Sequence, residues 1–174
     1  EAMDAAGIDI LITGRAANAR YIAGVPLLWL AGSRPFGPGC IFVRASGGIH
    51  LVTTWDEGVP DDIPREHLHG ITFNAQNTLA MLSGIEGAAT ARTVATDGLM
   101  PSTISLVRKA FPAAELVDGE QAMRQARRIK TPDEVEAIRA SVRVAEDALA
   151  AAATAFTDGV SERQLTAVFM QAMA

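Results

Sequence analysis

The chain has 174 residues, 49% hydrophobic and 20% charged, a globular balance with room for one full domain and part of another. A net charge of −5 and a pI near 5.2 give a surface that repels nucleic-acid phosphates, which disfavours a backbone-tracking DNA or RNA binder. Cys40 is the only cysteine, so an internal disulfide is excluded and a reducing, cytoplasmic compartment is expected; no apolar run reaches the roughly 20 residues of a membrane span, and Glu1-Ala2-Met3-Asp4 is not the basic start of a signal peptide.

Glu1 to Ala6 reads as a helix stopped by Gly7. The β-branched run Ile8-Asp9-Ile10-Leu11-Ile12-Thr13, between Gly7 and Gly14, predicts a buried strand. Ala16 to Ala23 predicts a short helix ended by Gly24. Cys40 to Arg44 and Ile49 to Thr54 flank Ser46-Gly47-Gly48, and a Gly-Gly pair supplies the positive φ angles that a tight hairpin needs. Gly70-Ile71-Thr72-Phe73 predicts a brief strand, and Asn77 to Ile85 a helix. Thr93 to Asp97 predicts another strand, followed by a helix opened by Pro101 and running from Ser102 to Phe111. Ala114 to Asp118 is a last strand and Gly119 to Ala126 a last short helix. Strands and helices alternating in this way predict an α/β domain, and the hairpin makes its sheet mixed.

From Thr131 the composition changes. Thr131-Pro132-Asp133-Glu134 combines a capping box with proline at the first helical position, so a helix begins here. Val135, Ile138, Val142, Ala145, Leu149, Ala152 and Phe156 follow at spacings of three and four, one apolar stripe along a long helix. Asp158-Gly159 ends it, and Ser161-Glu162-Arg163-Gln164 opens a second capped helix. Two long helices form a different packing unit from the α/β part, which places the boundary at Arg128 to Thr131. The absence of an initiating Met and the apolar, uncapped end at Ala174 are read as those of a piece of a longer protein.

Several blocks together resemble the creatinase/prolidase/Xaa-Pro aminopeptidase family of "pita-bread" metallohydrolases. They are Gly7 to Gly14 followed by Ala17-Asn18-Ala19-Arg20-Tyr21-Ile22-Ala23-Gly24; Asp97-Gly98-Leu99-Met100-Pro101; Ala114 to Asp118; Arg127 to Arg139; and Asp158 to Leu165. The resemblance implies a ribonuclease-H-like α/β N-terminal domain over residues 1–127, with a mixed sheet and flanking helices. It further implies a linker at 128–131 and, over 132–174, the first two helices of a truncated pita-bread catalytic domain. The implied parent is a hydrolase that cleaves the bond before proline, using two divalent metals (Mn, Co or Zn) held by two Asp, one His and two Glu, all C-terminal of the linker. No catalytic or metal residue is therefore expected here, and the piece alone is expected to be inactive. It would cap the active site and contribute to a homodimer. A creatinase-like amidinohydrolase working without metal, and a non-enzymatic binding protein of the same fold, are the alternatives.

Residues 25–39 and 54–58 depart from the family's usual pattern. Arg34 suits a bidentate grip on a substrate carboxylate, Trp29 suits packing on a proline ring, and Trp55 is a third substrate-side candidate; each reading stands beside that of a loop sealing a domain interface. His50, His67 and His69 offer three imidazoles, but exposed loop histidines account for them without a metal. Asp133, Glu134 and Glu136 lie in a helix's first turn, where the macrodipole favours anions without any ligand.

Overall fold

A computed structural model of the chain describes residues 1–25 and 37–174, which form two units, Glu1–Arg127 and Arg128–Ala174. The first unit is built on a mixed sheet. Among the described residues its strands are β1 (Ile10–Thr13), β2 (Cys40–Val43), β3 (Ile49–Val52), β4 (Leu68–His69), β5 (Thr93–Thr96) and β6 (Glu115–Asp118), in the order β4-β3-β2-β1-β5-β6. β1–β2 and, across the hairpin, β2–β3 are antiparallel, while β3–β4, β1–β5 and β5–β6 are parallel.

Every residue of β1 is buried because both faces of the sheet are covered, as its unbroken apolar run predicts. Leu11 and Ala95 point to one face, where Met3 of α1 (Ala2–Ala5) and Ala122 and Met123 of α5 (Glu120–Arg128) meet them. On that face, nearer β3, Ala19 and Ala23 of α2 (Ala16–Ala23) cluster with Cys40 and Leu51. Ile10, Ile12, Ile41 and Val94 point the other way, onto Leu82 of α3 (Ala75–Ser83) and onto Val107, Ala110 and Phe111 at and after α4 (Pro101–Ala110). This is a helix–sheet–helix sandwich, with the period-2 alternation of each strand dividing its side chains between two cores.

Three local expectations are corrected. In the hairpin turn only Gly47 has positive φ (+73°); Gly48 instead donates its N–H to Ser46 Oγ at 3.0 Å. The strand expected at 70–73 lies two residues earlier, at Leu68–His69, because Leu68 packs into the α2-side core while His69 pairs with Val52 and bonds to His50. α3 starts at Ala75 rather than Asn77, since Asn74 caps it by accepting from the N–H groups of Gln76 and Asn77.

The second unit comprises α6 (Pro132–Thr154) and α7 (Glu162–Ala172), which contact each other. At 23 residues α6 is about 34 Å long. Both capping boxes form: Glu134 N–H donates to Thr131 Oγ1 while Thr131 N–H donates to Glu134 Oε2, and Ser161 and Gln164 repeat the exchange. The reciprocal bonds satisfy backbone donors that no helical turn can reach. Ala148 is fully buried, whereas Val142, Leu149 and Phe156 of the stripe are exposed.

Candidate functional site

β1, β3, β4, β5 and β6 all end at one edge of the sheet, and β2 starts there, since Thr13 pairs with Cys40 and Cys40 with Leu51. A linked set of polar side chains gathers at this edge. Asp97, just past β5, is buried and accepts from Gly14 N–H at 2.5 Å, from Arg15 N–H at 3.3 Å and from Asn18 Nδ2. Arg15 is the N-cap residue of α2 and makes no side-chain cap, so a carboxylate from another strand serves the backbone N–H groups at that helix's start. The two turns come close enough that a Cβ on Gly14 would stand 2.8 Å from Leu99 Cδ2 and 3.0 Å from Gly98 O, so any other residue there would have to displace both.

Asn18 uses its whole carboxamide. Nδ2 donates to Asp97 and, at 3.4 Å, to Glu120 Oε2, while Oδ1 accepts from Arg127 Nη1 at 2.6 Å. Because carboxylates only accept and guanidinium only donates, these partners fix the amide's orientation. Glu120 is the hub of the outer half, 3.4–3.5 Å from Arg15, Arg124 and Arg127. Burial pushes the Asp97 carboxyl up, and its bonds from Asn18, Gly14 and Arg15 only partly oppose this. Burial also acts upward on Glu120, but bonds from Asn18 and Arg124 and the charges of Arg15 and Arg127 outweigh it and hold that carboxyl below its usual range. The arrangement clamps β1, β5, α2 and α5 together and presents a cationic rim. It contains no nucleophile paired with a base.

Trp55 lies on the loop that leaves β3 at this same edge; it is 58% exposed, its carbonyl accepts from Thr53 Oγ1 at 2.7 Å, and the next residue, Asp56, is ion-paired with Arg65. The Arg65 bond holds the Asp56 carboxyl below its usual range. Trp29 and Arg34 fall outside the described residues. The histidines are not loose loop groups: His50 is buried against His67 and His69. Among the described residues no three His, Cys, Asp or Glu side chains are placed to hold a metal ion. Cys40 is buried, and burial pushes its thiol up to about 12, which makes it an inert core residue.

The polar clamp was not predicted as a site. Its signals were present in Asn18, a polar residue in the middle of a short apolar-sided helix, and in Glu120, Arg124 and Arg127, which recur on one face of α5 at helical spacing.

Comparison with known proteins decides what this architecture is. A family model described as the creatinase/prolidase N-terminal domain matches residues 1–129. The chain belongs to the creatinase/prolidase N-terminal domain family. The same fold recurs in the prolidase from Pyrococcus horikoshii OT3, with a TM-score of 0.69 at 19% identity over 98% of this chain. It recurs in the Xaa-Pro dipeptidase from Bacillus anthracis (TM-score 0.70, 16% identity, 99% of this chain) and the X-Pro aminopeptidase from Thermotoga maritima MSB8 (0.68, 16%, 99%). The chain spans less than half of each, 45%, 46% and 48% respectively. No curated protein matches the sequence. Among the described residues no helix is long and apolar enough to cross a membrane.

Proposed function

We propose that the chain is the N-terminal capping and dimerising unit, together with the first helices of the catalytic domain, of a proline-directed metallopeptidase of the Xaa-Pro dipeptidase or aminopeptidase type. The observation that carries this reading is the family match over residues 1–129, joined to solved neighbours whose names are those of prolidases and Xaa-Pro peptidases. The chain's own part in this reading is to bind and enclose: the clamp around Asp97 ties the strand ends together, and Trp55 is a candidate contact for a proline-containing peptide, as are Trp29 and Arg34 on the sequence reading. We place the parent in the cytoplasm, on the strength of a single, inert cysteine.

The test is to assay the parent protein against an Xaa-Pro dipeptide, a longer Xaa-Pro peptide and creatine, each with and without a chelator. Hydrolysis of a proline peptide that chelation abolishes, with none from the 174-residue chain alone, is the expected result. Chelator-resistant hydrolysis of creatine, or no hydrolysis of any of the three, overturns the reading.

A further inference from the structure

His50, His67 and His69 meet on the α3 side of the sheet, where β4 is joined to β3 by only two paired residues. His67, at the end of a single 3-10 turn (Arg65–His67), has Nδ1 3.1 Å from the carbonyl of Ile49, so Nδ1 carries the proton and donates. Its ring lies on that of His50 with centroids 3.9 Å apart. His50 Nδ1 is 3.2 Å from His69 Nε2. Those rings are inclined by 20° with centroids 5.4 Å apart, the separation of an N–H···N bond between the two rings. His50 Nε2 is buried without a partner.

We propose that these three side chains form an acid-released latch that holds β4 on β3. The neutral cluster has one proton per ring, and its single N–H···N bond uses one of them. A proton added to the His50–His69 pair with its bond kept leaves both outer nitrogens protonated, and so places an N–H at the buried, unpartnered His50 Nε2. A further one, on any ring, sets like charges against each other across the 3.9 Å stack or the 3.2 Å contact. Among the described residues the carboxylate acting on His50 is Glu86, already bonded by Ser46, and Glu86 and Asp62 line the crevice beside His67; His67 is the charge acting on His69, and the α3 residues beside the crevice at His69, Asn77, Thr78 and Met81, are uncharged. Burial, followed by the neighbouring imidazoles, pulls His50 down to about 4 and also lowers His69, so the open edge takes up protons that the closed one refuses. Acid therefore favours release, beginning below the ordinary histidine value of 6.5. Release of His69 and Gly70 would also open the crevice of about 460 Å³ that they line with Ile71 and Thr72. This inference does not depend on the peptidase reading.

The experiment is hydrogen exchange on the 174-residue chain between pH 7 and pH 4.5, corrected for intrinsic rates, alongside an NMR titration of the three rings. The reporter is the Thr53 amide, which donates to His69 O at 2.9 Å across the latch; the β1 and β5 amides are the control. The latch predicts that Thr53 opening rises by more than about tenfold per pH unit, the mark of more than one linked proton, while the control amides stay protected. His69→Gln, which keeps an acceptor for His50 but cannot be charged, should flatten that dependence. Three rings titrating independently near 6.5, or Thr53 and the control amides losing protection together, would overturn the proposal.

Discussion

Asn18 Oδ1 accepts from Arg127 Nη1 at 2.6 Å, joining the second helix of the α/β unit to its last across 109 residues of sequence. Since the same carboxamide donates to Asp97 and Glu120, one buried side chain closes a circuit from β5 to the end of α5. Removing it by Asn18→Ala leaves a buried carboxylate short of a donor. We expect a loss of about 2–3 kcal/mol in unfolding free energy, measured by urea denaturation. Arg127→Ala leaves Glu120 with Arg15 and Arg124 but takes this donor from the buried Asn18 Oδ1, so it should cost about 1–2 kcal/mol.

Asp9 and Asp97 clip β1 to β5 from opposite ends of the sheet, with opposite titration. Asp9 accepts from the N–H groups of Arg92 and Thr93 and from Arg44, and these bonds lower its pKa from 3.8 despite some desolvation; Asp97 is raised by burial. For Asp9 the folded value lies below the unfolded one, so its contribution is complete above 3.8 and is lost as pH falls through the folded value. Asp9→Asn should cost about 1–2 kcal/mol at pH 7, and the gap from wild type should narrow as pH falls below 3.8, as stability curves at several pH values would record.

Thr131→Ala removes half of a capping box that lies wholly in the second unit. The expected cost is about 1 kcal/mol, visible as fraying of the first turn of α6 in amide exchange, with the exchange of β1 and β5 unchanged.

Val142, Leu149 and Phe156 form an exposed apolar stripe on the second unit. The isolated 174-residue chain should therefore self-associate, and Leu149→Glu should reduce the association, both read by light scattering. A monodisperse wild-type monomer at tens of micromolar would contradict this.

What could be read from the sequence is what short-range chemistry decides. Thr131 with Glu134 and Ser161 with Gln164 announce helix starts because both partners of each bond lie within four residues. The β1 run and the hairpin are equally legible, since burial on two faces and a turn glycine leave a mark in consecutive letters. The position of β4 is not legible because Leu68–His69 is a strand by pairing with Leu51 and Val52, which lie 17 residues earlier. The clamp stayed hidden for the same reason, Asn18 and Asp97 being 79 residues apart. A buried polar contact between distant residues has no period to betray it.

The most direct test of the account compares the intact parent with a version lacking residues 1–127 in the hydrolysis of one Xaa-Pro dipeptide. If the α/β unit caps the active centre, kcat/KM should fall at least tenfold while the truncated protein remains folded by circular dichroism and retains bound metal. Equal kcat/KM in the two proteins would contradict the claim that this unit helps to enclose the substrate.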